Sequence, residues 1–156
     1  MAELNERCFV ACPYHSAQRY LAQSVSERVA AGEPTVVTLS LPLPGLDLHK
    51  DVRVTFSAGT DPMHFDRPWR VHWTPDGGPY PDFDGELTVR SDEDYTSSVL
   101  ELQGEYLPPG GVAGAVFDAV AGSRIAAATA RQLLKEIAAE LEARYRREEE
   151  EKQTRV

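Results

Sequence analysis

The spacing of hydrophobic positions divides the chain into three parts, the first of which holds both a period-two run and a helical one. From Leu4 to Ala11, Leu4, Cys8 and Val10 share one parity and Phe9 lies on the other. That alternation predicts a strand, interrupted at Glu6. Pro13 suits the first turn of a helix, where its missing N–H costs no hydrogen bond. Apolar residues then recur every three or four positions, at Tyr14, Ala17, Leu21, Val25 and Val29, while Gln18, Arg19, Gln23 and Glu27 fall largely outside the stripe. One helix is predicted, running to about Ala31 and stopped by Gly32.

From Pro34 to about Ser91 the period is two. Val37, Leu39, Leu41 and Leu43 alternate with Val36, Thr38 and Ser40, and Pro42, Pro44 and Gly45 end that run in a turn. Val52, Val54 and Phe56 form the next strand, and Trp69, Val71 and Trp73 the one after. Phe83, Leu87 and Val89 follow on the parity of Gly85. A last strand is predicted from about Tyr95 to Tyr106, with Leu100, Leu102 and Tyr106 on one face. Turn-forming Gly, Pro and Asp separate these runs, which predicts an antiparallel meander.

The third part is helical. Val116, Phe117 and Val120 make a short stripe; Ala126, Ala130, Leu133, Ile137 and Leu141 make a longer one, with Gly122-Ser123 as a kink or restart between them. From Ser123 to Arg147 the helix would be about 37 Å long. Glu140–Arg144 and Glu142–Arg146 are i,i+4 pairs in the favourable order. Residues 1–147 are thus expected to form one domain and 148–156 a charged, fraying tail. Strand, helix, five antiparallel strands and a long helix make the fold class α+β, with the two helices available to cover the apolar face of the sheet.

Composition narrows the function. A 42% apolar and 26% charged chain is ordinary for a globular domain. The formal charge of −9 works against nucleic acid, because no basic patch offsets it. No run is long and apolar enough to span a bilayer, and the acidic, polar N-terminus lacks the features of a signal peptide, so a cytoplasmic location is expected. Cys8 and Cys12, if both lie in one extended segment, sit about 13 Å apart, too far for a disulfide, and reduced thiols are expected. Nothing calls for a cofactor or a metal.

The order of elements resembles the helix-grip fold of the START/SRPBCC superfamily, in particular its polyketide cyclase/dehydrase-like and coenzyme-Q-binding-like branch. The residues that carry the resemblance are Ala11-Cys12-Pro13 leading into the first helix, Leu41-Pro42-Leu43-Pro44-Gly45, Val71-His72-Trp73, Phe83-Asp84-Gly85-Glu86-Leu87, Gly104-Glu105-Tyr106-Leu107-Pro108-Pro109-Gly110 and the long helix around Arg124-Ile125-Ala126. It implies a curved sheet of six or seven strands wrapped around the C-terminal helix, with an apolar molecule held between them. A second short helix after the first, usual in the superfamily, has no counterpart in the pattern.

The closing helix carries many small residues, among them Gly122, Ala126 and Ala130, so sheet side chains or a guest must fill the space beneath it. An empty void of about 300 Å³ would cost about 7 kcal/mol, against a total stability of about 5–15 kcal/mol. Candidate walls of a ligand site are Phe56, Trp69, Val71, Trp73, Phe83, Leu87, Tyr106, Phe117, Ala126, Ala130 and Leu133, each of which also serves as plain core. Asp61, His64, Asp66 and His72 could make an acid/base pair or a metal site, although their spacing matches neither pattern. Arg70 and His72 share the strand face opposite Trp69 and Trp73 and are expected in solvent.

Three functions follow. The first is binding of a hydrophobic small molecule: a lipid, a quinone or a polyketide-like aromatic. The second, implied by the resemblance, is a cyclase, aromatase or dehydratase in which Arg70, His72 or Tyr106 would act. The third is a protein-interaction module with a vestigial cavity.

Overall fold

The computed structural model describes residues 2–43, 46–58, 68–74, 82–107 and 119–155. Strand β1 (Ala2–Val10) leads to helix α1 (Tyr14–Ala31), followed by β2 (Thr35–Leu43), β3 (Leu46–Ala58), β4 (Trp69–Thr74), β5 (Asp82–Ser91), β6 (Ser98–Leu107) and helix α2 (Ala119–Thr154). The six strands form one curled antiparallel sheet in the order β1-β6-β5-β4-β3-β2. The first strand therefore closes beside the last, and the meander fills the space between β6 and β2.

Strict alternation sorts the sheet into two faces, as its period-two pattern requires. The concave face carries Leu4 and Val10 of β1, Val37 and Leu39 of β2, Val52 and Val54 of β3, Val71 and Trp73 of β4, Phe83 and Leu87 of β5, and Leu100, Leu102 and Tyr106 of β6, all buried. Helix α2 covers this face with Ile125, Ala126, Ala130, Leu133, Leu134, Ile137, Ala138 and Leu141.

Helix α1 ends where the sequence places its end. Gly32 takes φ 68°, the left-handed conformation that glycine adopts freely, and its N–H closes onto the Val29 carbonyl. No separate short helix follows: β2 begins at Thr35. The buried face of α1 is rotated from the predicted stripe. Tyr20 and Ser24 are buried while Val29 is half exposed, because α1 also packs against α2. Strand β6 starts at Ser98 rather than Tyr95, since Tyr95 has φ 54° in a turn held by Asp92, whose carboxylate accepts from the Glu93 N–H and the Ser97 hydroxyl.

The charged C-terminal segment is helical. Helix α2 continues past Arg147 to Thr154, and Glu148 accepts from Arg19 at 2.8 Å and from the Tyr20 hydroxyl. Two turns earlier, Glu140 accepts from Ser24 Oγ (2.9 Å), Arg28 (2.6 Å) and Arg144 (3.0 Å), and Arg144 also reaches Glu27 (2.9 Å). The expected Glu140–Arg144 pair is present. Glu142 instead accepts the Ala11 N–H at 3.0 Å, tying α2 to the turn before α1. No helix among the described residues is long and apolar enough to cross a membrane.

Candidate functional site

Cross-strand register sets out the concave floor in rows. Val54, Trp73, Phe83, Tyr106 and Ala2 pair in succession across β3, β4, β5, β6 and β1. The adjacent row is Phe56, Val71, Gly85, Gly104 and Leu4, and the next runs through Trp69, Leu87, Leu102 and Glu6.

The two glycines decide how the aromatic row lies. A Cβ on Gly85 would collide with Phe83 Cζ and the Gln103 carbonyl; one on Gly104 would meet backbone of Asp84 and Gly85 and come within 2.9 Å of Phe83 Cζ. The Phe83 ring therefore lies down over the glycine pair instead of standing up toward the helix. Trp73 stacks on Phe83, with centroids 4.2 Å apart and planes 20° from parallel. Both side chains are fully buried. The Trp73 indole Nε1–H has no hydrogen-bond partner, the one such buried side-chain atom among the described residues.

Helix α2 spans this floor from edge to edge. Among the described residues it approaches β1, β2 and β6 most closely, and far less the central strands β3, β4 and β5. Its C-terminal half is pinned to α1 through Glu140 and Glu148, and Arg131 faces Glu6 of β1 at 3.5 Å. The interruption of the β1 pattern at Glu6 thus reflects a helix cation reaching an edge strand. From Arg131 back to Gly122 the helix climbs about 13 Å, and from Glu6 back to Ala2 the strand covers about the same. Gly122 therefore lies at roughly the level of the Trp73–Phe83–Tyr106 row, and Ala126, about 6 Å further along the helix, at that of the adjacent Gly85–Gly104 row over which the Phe83 ring lies; both are buried. Helix α1 packs near β3 and β5 at the other end. There the Arg28 guanidinium lies 5.5 Å from the centroid of the Phe56 ring.

Of the candidate wall residues, Val71, Trp73, Phe83, Leu87, Tyr106, Ala126, Ala130 and Leu133 are buried, and Phe56 and Trp69 are partly buried against the same cluster. Phe117, and the Asp61, His64 and Asp66 group, lie outside the described residues. Among the described residues no cluster of His, Cys, Asp and Glu could hold a metal ion.

Arg70 and His72 sit on the convex face, where alternation puts them. Arg70 donates to Asp84 at 3.0 Å, and His72 Nε2 lies 3.7 Å from Asp82 Oδ1. Neither reaches the concave side, so of the three side chains considered for acid/base work Tyr106 alone faces it. A groove of about 350 Å³ also crosses the convex face, lined by Arg70, Asp84, Glu86, Arg90, Glu101 and Gln103. Its cations are matched: Glu101, only 4% exposed, takes Arg7 on one carboxylate oxygen at 2.7 Å and Arg90 on the other at 3.1 Å. Sequence reading missed this buried carboxylate, because an acidic residue on the polar parity of a strand looks solvated until strand order puts two arginines over it.

Both cysteines are free thiols. Burial pushes Cys12 up to about 11, with the Glu142 carboxylate adding to the effect; the partly exposed Cys8 is raised for the same two reasons, offset by Lys135. Neither is poised as a nucleophile, which requires the thiolate.

No protein-family model and no curated protein matches the chain. Solved structures do. The protein TTHA0849 of Thermus thermophilus superposes with a TM-score of 0.51 at 9% identity, over 91% of this chain and 98% of that one. The protein has a helix-grip fold. The ZhuI aromatase/cyclase of Streptomyces sp. R1128 gives a TM-score of 0.48 at 18% identity, over 92% of this chain and 94% of that one. At such identities the likeness concerns the helix-grip scaffold alone, and function must be argued from the residues.

Proposed function

We propose that the protein binds a hydrophobic small molecule of flat, aromatic character between the Trp73–Phe83 floor and helix α2. The observation that carries this is the stand-off of α2 from the sheet's central strands. The helix rests on the edges of the sheet and leaves the middle to side chains, and the largest of these lie flat on a pair of glycines. On the helix side, Gly122 lies over the Trp73 row and Ala126 over the adjacent glycine row, and neither carries more than a methyl group. An apolar ring slipped onto Trp73 would gain stacking and burial, about 25 cal/mol for each Å² of apolar surface removed from water.

The interior offers walls and little chemistry. Tyr106 gives one hydroxyl, while the charged groups of the central strands β4 and β5 lie on the other face. Carrying or sequestering a guest needs no more than this.

The test is a fluorescence titration with 1-aminoanthracene, whose emission rises and moves to the blue in an apolar site. Saturable one-to-one binding with displacement by 2-naphthol is expected. A linear, non-saturating response across the micromolar range would overturn the proposal.

A further inference from the structure

We infer that the guest presents a hydrogen-bond acceptor, a ketone, quinone or phenolic oxygen at the edge of its ring system, to the indole Nε1–H of Trp73. The inference rests on the binding reading above and specifies what that reading leaves open: which apolar molecules the site prefers.

Trp73 belongs to the buried aromatic row, is 0% exposed, and its N–H has no partner. Leaving a buried donor unsatisfied costs about 1–3 kcal/mol, and native folds rarely tolerate it without a purpose. An ordinary core position would take Phe or Leu here and avoid the cost. The rest of the row offers no remedy. Val54, Phe83 and Ala2 have no side-chain acceptor, the Tyr106 hydroxyl, the row's one side-chain acceptor, takes no hydrogen bond from Trp73, and the roof at this level is Gly122. The Thr129 hydroxyl, buried on the same helix, donates to the Ile125 carbonyl.

A pure hydrocarbon in the site would leave the donor as it is. A ligand of the same shape with one carbonyl oxygen toward Trp73 would satisfy it. Because Phe83 holds the indole plane by stacking at 4.2 Å, the donor is fixed before any ligand arrives, and little ordering is needed to use it. The site should therefore discriminate between flat molecules by the presence of an acceptor, a selection that apolar contact cannot provide.

Fluorene and 9-fluorenone share a tricyclic frame and differ by one carbonyl oxygen, so they isolate this term. Displacement of 1-aminoanthracene by each should be measured on the wild-type protein and on Trp73→Phe, which keeps an aromatic ring and removes the donor. The preference for fluorenone over fluorene should fall about 5–10-fold in the variant, the value of a single hydrogen bond. In ¹⁵N-labelled wild-type protein, fluorenone should move the Trp73 indole N–H resonance downfield and fluorene should not, with the Trp69 indole as internal reference. This second readout stands even if Trp73→Phe folds poorly. An unchanged preference in the variant, or an indole resonance shifted equally by both compounds, would overturn the hydrogen bond while leaving the binding site standing. Failure of both compounds to displace the probe would remove the binding reading itself, and this inference with it.

Discussion

Gly85 and Gly104 matter for what they lack. Facing each other on neighbouring strands, they provide the floor on which the Phe83 ring lies, and a methyl at Gly104 would press on the backbone of Asp84 and Gly85 as well as on that ring. Backbone cannot yield as a flexible side chain can, so Gly104→Ala should destabilise the fold by about 1–3 kcal/mol, read as a lower urea midpoint with unchanged slope. No loss of stability would mean that β5 and β6 do not approach this closely at the glycine pair. Cys12 gives a second test at this scale. Its thiol is raised from the ordinary 9.0 to about 11, burial first and Glu142 second, so the folded protein keeps a proton that the unfolded chain releases. The resulting stability is complete below pH 9 and lost as pH rises toward 11. Unfolding free energy should fall across that window in the wild type, and the Cys12→Ala variant should lack this component of the fall. Single residues were unequally legible. Alternation alone put Arg70 and His72 outside and Trp73 inside, because strand parity is local. The unpartnered state of Trp73 and the burial of Glu101 depend on which strands lie alongside, and no local pattern contains that.

Between elements, the α1–α2 seam is polar where a helix pair is usually apolar. Glu140 satisfies Ser24, Arg28 and Arg144 together, and Glu148 satisfies Arg19 and Tyr20. Replacing Glu140 with Ala leaves a buried serine and two partly buried arginines without their shared acceptor. A loss of about 2 kcal/mol is expected in denaturant unfolding, whereas an isolated exposed i,i+4 pair would give less than about 0.5. At the rim of the seam, the Arg144 guanidinium holds Glu27 below the ordinary carboxylate value, by hydrogen bond first and charge second. That contribution is present above the ordinary carboxylate pKa and disappears as pH falls below it. Its size is small because Glu27 is exposed. The sequence showed α1 with its glycine stop, and it showed that α2 would be long. The extension of α2 to Thr154 was hidden because Glu148 looks like the start of a solvated acidic run until its partners, 128 and 129 residues away, are brought beside it.

In the whole molecule, the six-stranded sheet and the long α2 recover the architecture that the order of elements implied. Periodicity carried that far because each run is long enough to declare its period. The shape of the floor was not legible: whether Ala126 and Ala130 meet tall or flat side chains depends on ring orientation, which the Gly85–Gly104 pair sets. The account reduces to the proposal that a flat guest is held between Ala126 and the Trp73–Phe83 pair. A side-by-side titration of 1-aminoanthracene against the wild-type protein and Ala126→Phe, with the melting temperature of each, tests it most directly. The account predicts that the added ring occupies the guest's place, so that Ala126→Phe melts at or above the wild-type temperature and loses at least about tenfold in probe affinity, roughly 1.4 kcal/mol. A variant that melts well below the wild type, with the wild-type protein itself showing no saturable binding, would mean that the interior is already full and would contradict the claim.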